Sequence, residues 1–199
     1  MNLPNKISLT RICLIPVFVT VFFLNGVLPY NFLIAAIVFG VAAFTDFIDG
    51  HIARSRGLVT NLGKFLDPIA DKVLVATAMI LLLTLRENLF VKYGDGGNAL
   101  YLVTSIYICV ILARELIISA FRQIAAANGI VMAAEKLGKY KTVCQDAAIF
   151  VLILATDISG TAGEVFAWIG FVLFAIATEL TVWSGISYVV KNKQVLKDN

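Results

Sequence analysis

At 199 residues, 60% of them hydrophobic and only 15% charged, with a mean hydropathy of +0.91, the chain is too apolar to persist in water as a soluble domain. A net charge of +3 is too small to draw nucleic acid, so no nucleic-acid partner is expected. The three cysteines, Cys13, Cys109 and Cys144, stand apart in apolar surroundings without CxxC spacing, which argues against disulfides or a thiolate metal site and predicts buried thiols.

Apolar stretches of roughly 17 to 25 residues, long enough to cross a hydrocarbon core of about 30 Å, recur along the chain. They are continuous rather than alternating, so they predict helices and not the strands of a barrel. The first helix is predicted over 8–28; it is longer than a signal-peptide core and ends without a small-x-small cleavage site, which makes it a true span. Gly26, Pro29 and Asn31 separate it from a second helix over 31–53. A third is predicted over 66–86, with Pro68 near its start. The stretch Glu87 to Asn98, with three glycines, leads to a fourth over 98–122. The fifth, over 142–156, and the sixth, over 164–190, are parted by Asp157 to Gly163. The expected fold is all-α, a polytopic membrane protein with six transmembrane helices, forming a single domain over 1–199 in contact with the lipid bilayer.

Up-and-down passage puts the turns near Pro29, after Glu87 and after Asp157 on one side of the membrane. All Lys and Arg residues except Arg86 and Lys92, fourteen of sixteen, then fall on the other side. That asymmetry predicts a cytoplasmic location for the rich side, with the N- and C-termini both inside. Two acids stand apart from this scheme. Glu179 lies near the middle of the sixth helix with no partner in sequence, and Asp146 is close enough to the cytoplasmic end to pair with Arg122 or Lys141.

Four carboxylates carry the chemistry. Asp46 and Asp49 are three apart and Asp67 and Asp71 four apart, so each pair shares one helix face, about 5–6 Å apart at the β-carbons. Four acids at a membrane boundary must take up protons, find cations or hold metal. An all-oxygen set selects hard ions, and an incomplete cage that leaves room for water or phosphate suits Mg²⁺ or Mn²⁺. His51, the only histidine, reads as a polar interface residue. Gly50 and Ala53 follow Asp46 by four and seven residues and Gly63 precedes Asp67 by four. Such small residues permit either close approach of a phosphorylated ligand or close helix packing.

The run from Asp46 to Asp71, D-x2-D-G-x2-A-R-x8-G-x3-D-x3-D, resembles at all eight specified positions the signature of the CDP-alcohol phosphatidyltransferase family. The resemblance implies a six-helix membrane enzyme, usually a homodimer, in which two divalent ions bind the pyrophosphate of a CDP-linked donor and an alcohol displaces CMP. It implies that Asp46, Asp49 and Asp67 ligate metal, Asp67 bridging both ions, and that Asp71 ligates metal and takes the proton of the attacking hydroxyl. By the same resemblance Gly50, Ala53 and Gly63 line the CDP site beside Asp46 and Asp67, and Arg54 reaches donor phosphate. A two-metal clamp suits phosphoryl transfer, which needs charge neutralised more than covalent help.

Further bases point to an acceptor that itself carries phosphate. Arg114 lies inside an apolar run and needs a cavity or a partner such as Glu115. Arg122, eight residues on, is separated from it by about 80° of arc and 12 Å of rise, so the two can flank one pocket. Lys139 and Lys141, in the run Gly138-Lys139-Tyr140-Lys141-Thr142, can close it. These segments, with the opening Leu3 to Arg11, resemble the branch of the family that joins CDP-diacylglycerol to sn-glycerol 3-phosphate, and Thr10 and Arg11 would then approach the acceptor. Inositol phosphate, phosphatidylglycerol or serine are alternative acceptors. A divalent-cation transporter is the rival of another class, disfavoured because the acids sit at one face and not at mid-depth.

Overall fold

The computed structural model describes the backbone of residues 3–56, 61–91, 95–127 and 136–196, and the side chains of these except 3–7, 46–56, 61–68, 71, 95, 127, 136, 194 and 196. The described residues form six α-helices and no strand: α1 (Leu3–Phe23), α2 (Asn31–Arg56), α3 (Asn61–Thr84), α4 (Asp95–Ala127), α5 (Lys136–Asp157) and α6 (Gly160–Lys191). A single π-helical turn, Arg86–Phe90, follows α3, and a 3₁₀ turn, Lys193–Leu196, follows α6. All six expected helices are present, but their ends differ.

The differences have local causes. The first helix stops at Phe23, not residue 28, because Gly26 and Tyr30 take left-handed backbone angles, φ 83° and 55°. Buried Asn31 then donates its side-chain amide to Phe22 O at 2.9 Å, satisfying a carbonyl that the end of α1 leaves open. α3 begins at Asn61, so Pro68 lies seven residues inside it and does not mark its start. α4 runs to 33 residues and α5 begins six residues before the expected 142. Apolar content marks only the part of a helix that needs hydrocarbon, whereas polar turns such as Lys136-Leu137-Gly138-Lys139 continue the same backbone hydrogen bonding.

α5 packs most extensively on α6, α1 on α2, and α2 also on α5 and α3; α4 leans chiefly on α6. The centre is aromatic and aliphatic: Phe18, Phe39, Leu74, Met79, Ile149 and Phe174 are each almost wholly buried. Two of the turns expected on one side, those after α1 and after α5, come together at one end of the bundle. There the Leu33 amide donates to Asp157 Oδ2 at 2.8 Å, while Phe90 of the π turn packs on Phe171, eleven residues into α6.

Much of the outside is as apolar as the inside. Phe44, Leu116, Val172, Trp183 and Ile186 are exposed, a surface that water would not tolerate but lipid covers. Two segments, Gly96–Ala126 and Gly160–Lys191, are each long and apolar enough to cross a membrane. The cysteines correct an expectation: all three are free, but Cys13 and Cys109 lie exposed on the outer surface and Cys144 is half-buried. On helices packed through one stripe, an apolar run fills the outward stripe as well. Glu179 faces outward from α6.

Candidate functional site

Asp46, Asp49, Gly50, Ala53 and Arg54 lie on the last turns of α2, and Gly63, Asp67 and Asp71 on the first turns of α3. Their side chains lie outside the described residues, and so does His51. Both acid pairs are thus on helical backbone, and α2 and α3 are packed neighbours. The donor set of the two helices is four carboxylates without thiolate or a second imidazole, which fits a hard divalent ion such as Mg²⁺ or Mn²⁺.

What supports that end of α2 is described. Arg11 of α1 is 1% exposed and donates Nε to Ala42 O at 3.2 Å. Thr45 Oγ1 donates to the same carbonyl at 2.7 Å. Ala42 is one turn before Asp46, so the Arg11 guanidinium fixes α1 against the helix turn that leads into the first acid pair. Thr10, beside it in sequence, is exposed.

The acceptor-side bases fall into three groups. Arg114 and Lys141 meet on one atom: Glu115 Oε1 accepts from Arg114 Nη1 at 3.2 Å and from Lys141 Nζ. Arg114 also donates Nη2 to Ser184 Oγ of α6 at 3.1 Å. Its stem lies on Gly185, where a β-carbon would stand 3.1 Å from Arg114 Cγ, so the absence of a side chain there gives the arginine its path. Arg122 instead donates Nε to Tyr188 OH at 3.2 Å and stacks over the same ring, 5.4 Å from its centre. Lys139 is exposed. The structure brings together Arg114 and Lys141 among these bases, and leaves Arg122 and Lys139 apart from them.

Beside the Glu115 cluster a cavity of about 290 Å³ opens between α3, α4 and α5. Its polar lining is Lys72, Glu115, Ser119, Lys141, Thr142 and Gln145, with Asp146 beside them; Val75, Met79, Leu112 and Leu116 supply the apolar wall. One face of α4 tethers both lysines. Glu115 holds Lys141 from α5; Ser119, four residues on, accepts from Lys72 Nζ of α3 and donates to Glu115 O at 2.5 Å. Because residues four apart on a helix stand over one another, α4 presents a carboxylate and a hydroxyl that fix two ammonium groups beside the cavity.

Lys72, Ser119 and Gln145 were not singled out from sequence. Lys72 directly follows Asp71 in an otherwise apolar stretch, and Gln145 follows Lys141 by one turn in another. A polar residue beside a charged one where an apolar run begins is the signal that could have found Lys72 and Gln145.

Comparison with known proteins places the chain among a group of related sequences. A family model described as CDP-alcohol phosphatidyltransferase matches residues 1–183. A Bacillus subtilis (strain 168) protein named CDP-diacylglycerol–glycerol-3-phosphate 3-phosphatidyltransferase is 36% identical over 210 residues, covering 98% of this chain and 97% of its own length. A Rickettsia typhi protein of the same name is 37% identical, covering 94% of each chain. A rice protein named cardiolipin synthase (CMP-forming) is 32% identical, covering 98% of this chain and 59% of its own length.

Proposed function

The chain belongs to the CDP-alcohol phosphatidyltransferase family, and from that premise we propose that it joins CDP-diacylglycerol to sn-glycerol 3-phosphate, giving phosphatidylglycerophosphate and CMP. It is an enzyme, a CDP-diacylglycerol-dependent phosphatidyltransferase. The observation that carries the acceptor is the near full-length similarity to relatives whose names state that reaction. The eight-position carboxylate motif on the adjoining ends of α2 and α3 carries the chemistry.

In this reading Asp46, Asp49, Asp67 and Asp71 hold two divalent ions, Mg²⁺ or Mn²⁺, which when bound neutralise charge on the donor pyrophosphate. Gly50, Ala53 and Gly63 let the cytidine approach backbone, and Arg54 takes a donor phosphate oxygen through its planar fork. Asp71 accepts the proton of the acceptor hydroxyl as that oxygen attacks the phosphorus bearing the diacylglycerol, and CMP leaves. Lys141 and Lys72 take the acceptor phosphate, with Arg114 behind them. Exposed Thr10 flanks the acceptor's path, buried Arg11 beside it holds α1 against α2, and exposed Lys139 and Arg122 raise the local concentration of anions.

The protein sits in the cell membrane with all six helices spanning, termini and active site on the cytoplasmic side, and acts as a homodimer. What supports the membrane setting and its sidedness is the apolar exterior together with the one-sided distribution of Lys and Arg; the homodimer follows from the family resemblance alone. A lipid donor and a soluble phosphorylated acceptor meet only at such a face.

Purified protein given CDP-diacylglycerol, sn-glycerol 3-phosphate and Mg²⁺ is expected to release CMP. EDTA should stop the release and added Mg²⁺ or Mn²⁺ restore it. Loss of the general base in Asp71→Asn should slow it by at least about 10²-fold, with elution from size exclusion unchanged. The rice relative makes phosphatidylglycerol a second acceptor to test, and inositol phosphate and serine complete the panel. No CMP with any of the four alcohols would rule out the proposed reaction, and uptake of Mn²⁺ into proteoliposomes without CMP would make the chain a transporter.

A further inference from the structure

Gln145 is the polar group in the cavity wall that the protein leaves least satisfied. The residue is 2% exposed. The amide nitrogen has Met79 Sδ as its partner at 3.8 Å, and among the described residues Oε1 has no hydrogen-bond partner. A buried amide in that condition is costly to the fold and is retained where something in the cavity completes it. One turn before it on α5 is Lys141, and across the cavity is Lys72. Lys141 and Gln145 thus share one face of α5, about 5–6 Å apart at their β-carbons, and both line the cavity.

We propose that Gln145 is the residue that selects the acceptor: it reads a hydroxyl on the carbon chain of a phosphorylated polyol whose phosphate lies on Lys141 and Lys72. This rests on the reading of the cavity as the acceptor site. The hydroxyl donates to Oε1, and since an amide flip exchanges its two ends, the same group can instead donate to the hydroxyl oxygen. A polyol supplies the amide with a bond that the protein does not make, whereas an acceptor with a methylene at the same place leaves the amide unsatisfied. Met79, Leu112 and Leu116 supply the apolar part of the wall, and the hydroxyls of Ser119 and Thr142 already donate to the carbonyls of Glu115 and Gly138. Discrimination thus falls on the hydroxyl that does not react.

The test compares sn-glycerol 3-phosphate with 3-hydroxypropyl phosphate, which keeps the primary hydroxyl and the phosphate but lacks the central hydroxyl. Wild type should favour the glycerol compound in kcat/KM on the order of tenfold or more. Gln145→Met, of similar length without polar groups, should use the two within about twofold of one another, by losing rate on the glycerol compound alone. A structural role would lower both by one factor and keep their ratio, and that result overturns the proposal. If the Met variant does not elute as folded protein, Gln145→Asn, which withdraws the amide by one methylene, is read for the same fall in ratio. Equal use of the two phosphates by wild type overturns the proposal without any variant. Absence of CMP with every acceptor overturns the proposed reaction, and this assignment with it; CMP formation without discrimination overturns the assignment alone.

Discussion

One oxygen of Glu115 serves both Arg114 and Lys141, two cations from different helices. Lys141 keeps only 5% of its side chain exposed against 27% for Glu115, so the lysine depends on the pair more than the acid does. Removing the acid leaves an ammonium ion buried without its counter-charge, which costs more than the pair contributes when intact. Glu115→Gln should therefore destabilise the protein by about 1–3 kcal/mol, seen as a lower thermal unfolding temperature in detergent. Lys141→Met in the same chain should recover part of the loss, because an uncharged partner no longer needs the acid. A double-mutant cycle in which the two changes simply add would show that the ion pair contributes nothing. From sequence, Arg114 could be given Glu115 because the two are adjacent. Lys141 could not, since 26 residues separate it from the acid and only the meeting of α4 and α5 reveals the contact. The same holds for Gln145, whose cavity exists only once three helices are assembled.

At the scale of elements, the tightest described approach of side chain to helix is between α5 and α6. A β-carbon at Gly170 would stand 2.7 Å from both Cδ2 and Cγ of Leu152, closer than such atoms can approach. Leu152 is fully buried and its Cγ is a branch point, so the leucine cannot swing clear. Gly170→Ala should cost about 1–3 kcal/mol by overpacking, and Leu152→Ala in the same chain should relieve part of it; thermal unfolding of the two single variants and the double reads the coupling. An unfolding temperature unchanged in Gly170→Ala would mean that the two helices part without penalty. The existence of the six helices was legible because each carries an unbroken apolar run. Their ends were not, because a polar turn inside a helix and a polar turn outside one have similar compositions. Asn31 is an instance: it reads as a turn residue, and its amide does close α1, yet it is also the first residue of α2. The exposed Cys13 and Cys109 illustrate the other gap, since in a chain with an apolar exterior hydropathy cannot tell inward from outward.

For the whole molecule, the acids were legible as a group because spacing on a helix is a local property, whereas their setting depends on which ends of the helices come together. The charge pattern and the bundle geometry address the same question independently. The turn after α1 and the turn after α5 meet at one end, through Leu33 with Asp157, and the π turn after α3 packs through Phe90 on Phe171, eleven residues into α6. The π turn begins with Arg86, one of the two bases that the sidedness argument sets opposite all the others. The C-terminal 3₁₀ turn belongs to the other end, where Val195 packs with Phe121 and Tyr188. If the basic end is cytoplasmic, Val27, which is exposed in the first turn, faces the outside of the cell and Lys193, exposed after α6, faces the inside. With Cys13, Cys109 and Cys144 replaced by serine, Val27→Cys should react with a membrane-impermeant maleimide added to intact cells. Lys193→Cys should react only after the membrane is permeabilised. Labelling of Lys193→Cys in intact cells, with Val27→Cys protected, would invert the molecule; it would put the carboxylates on the face where no cytoplasmic pool of phosphorylated acceptor could reach them.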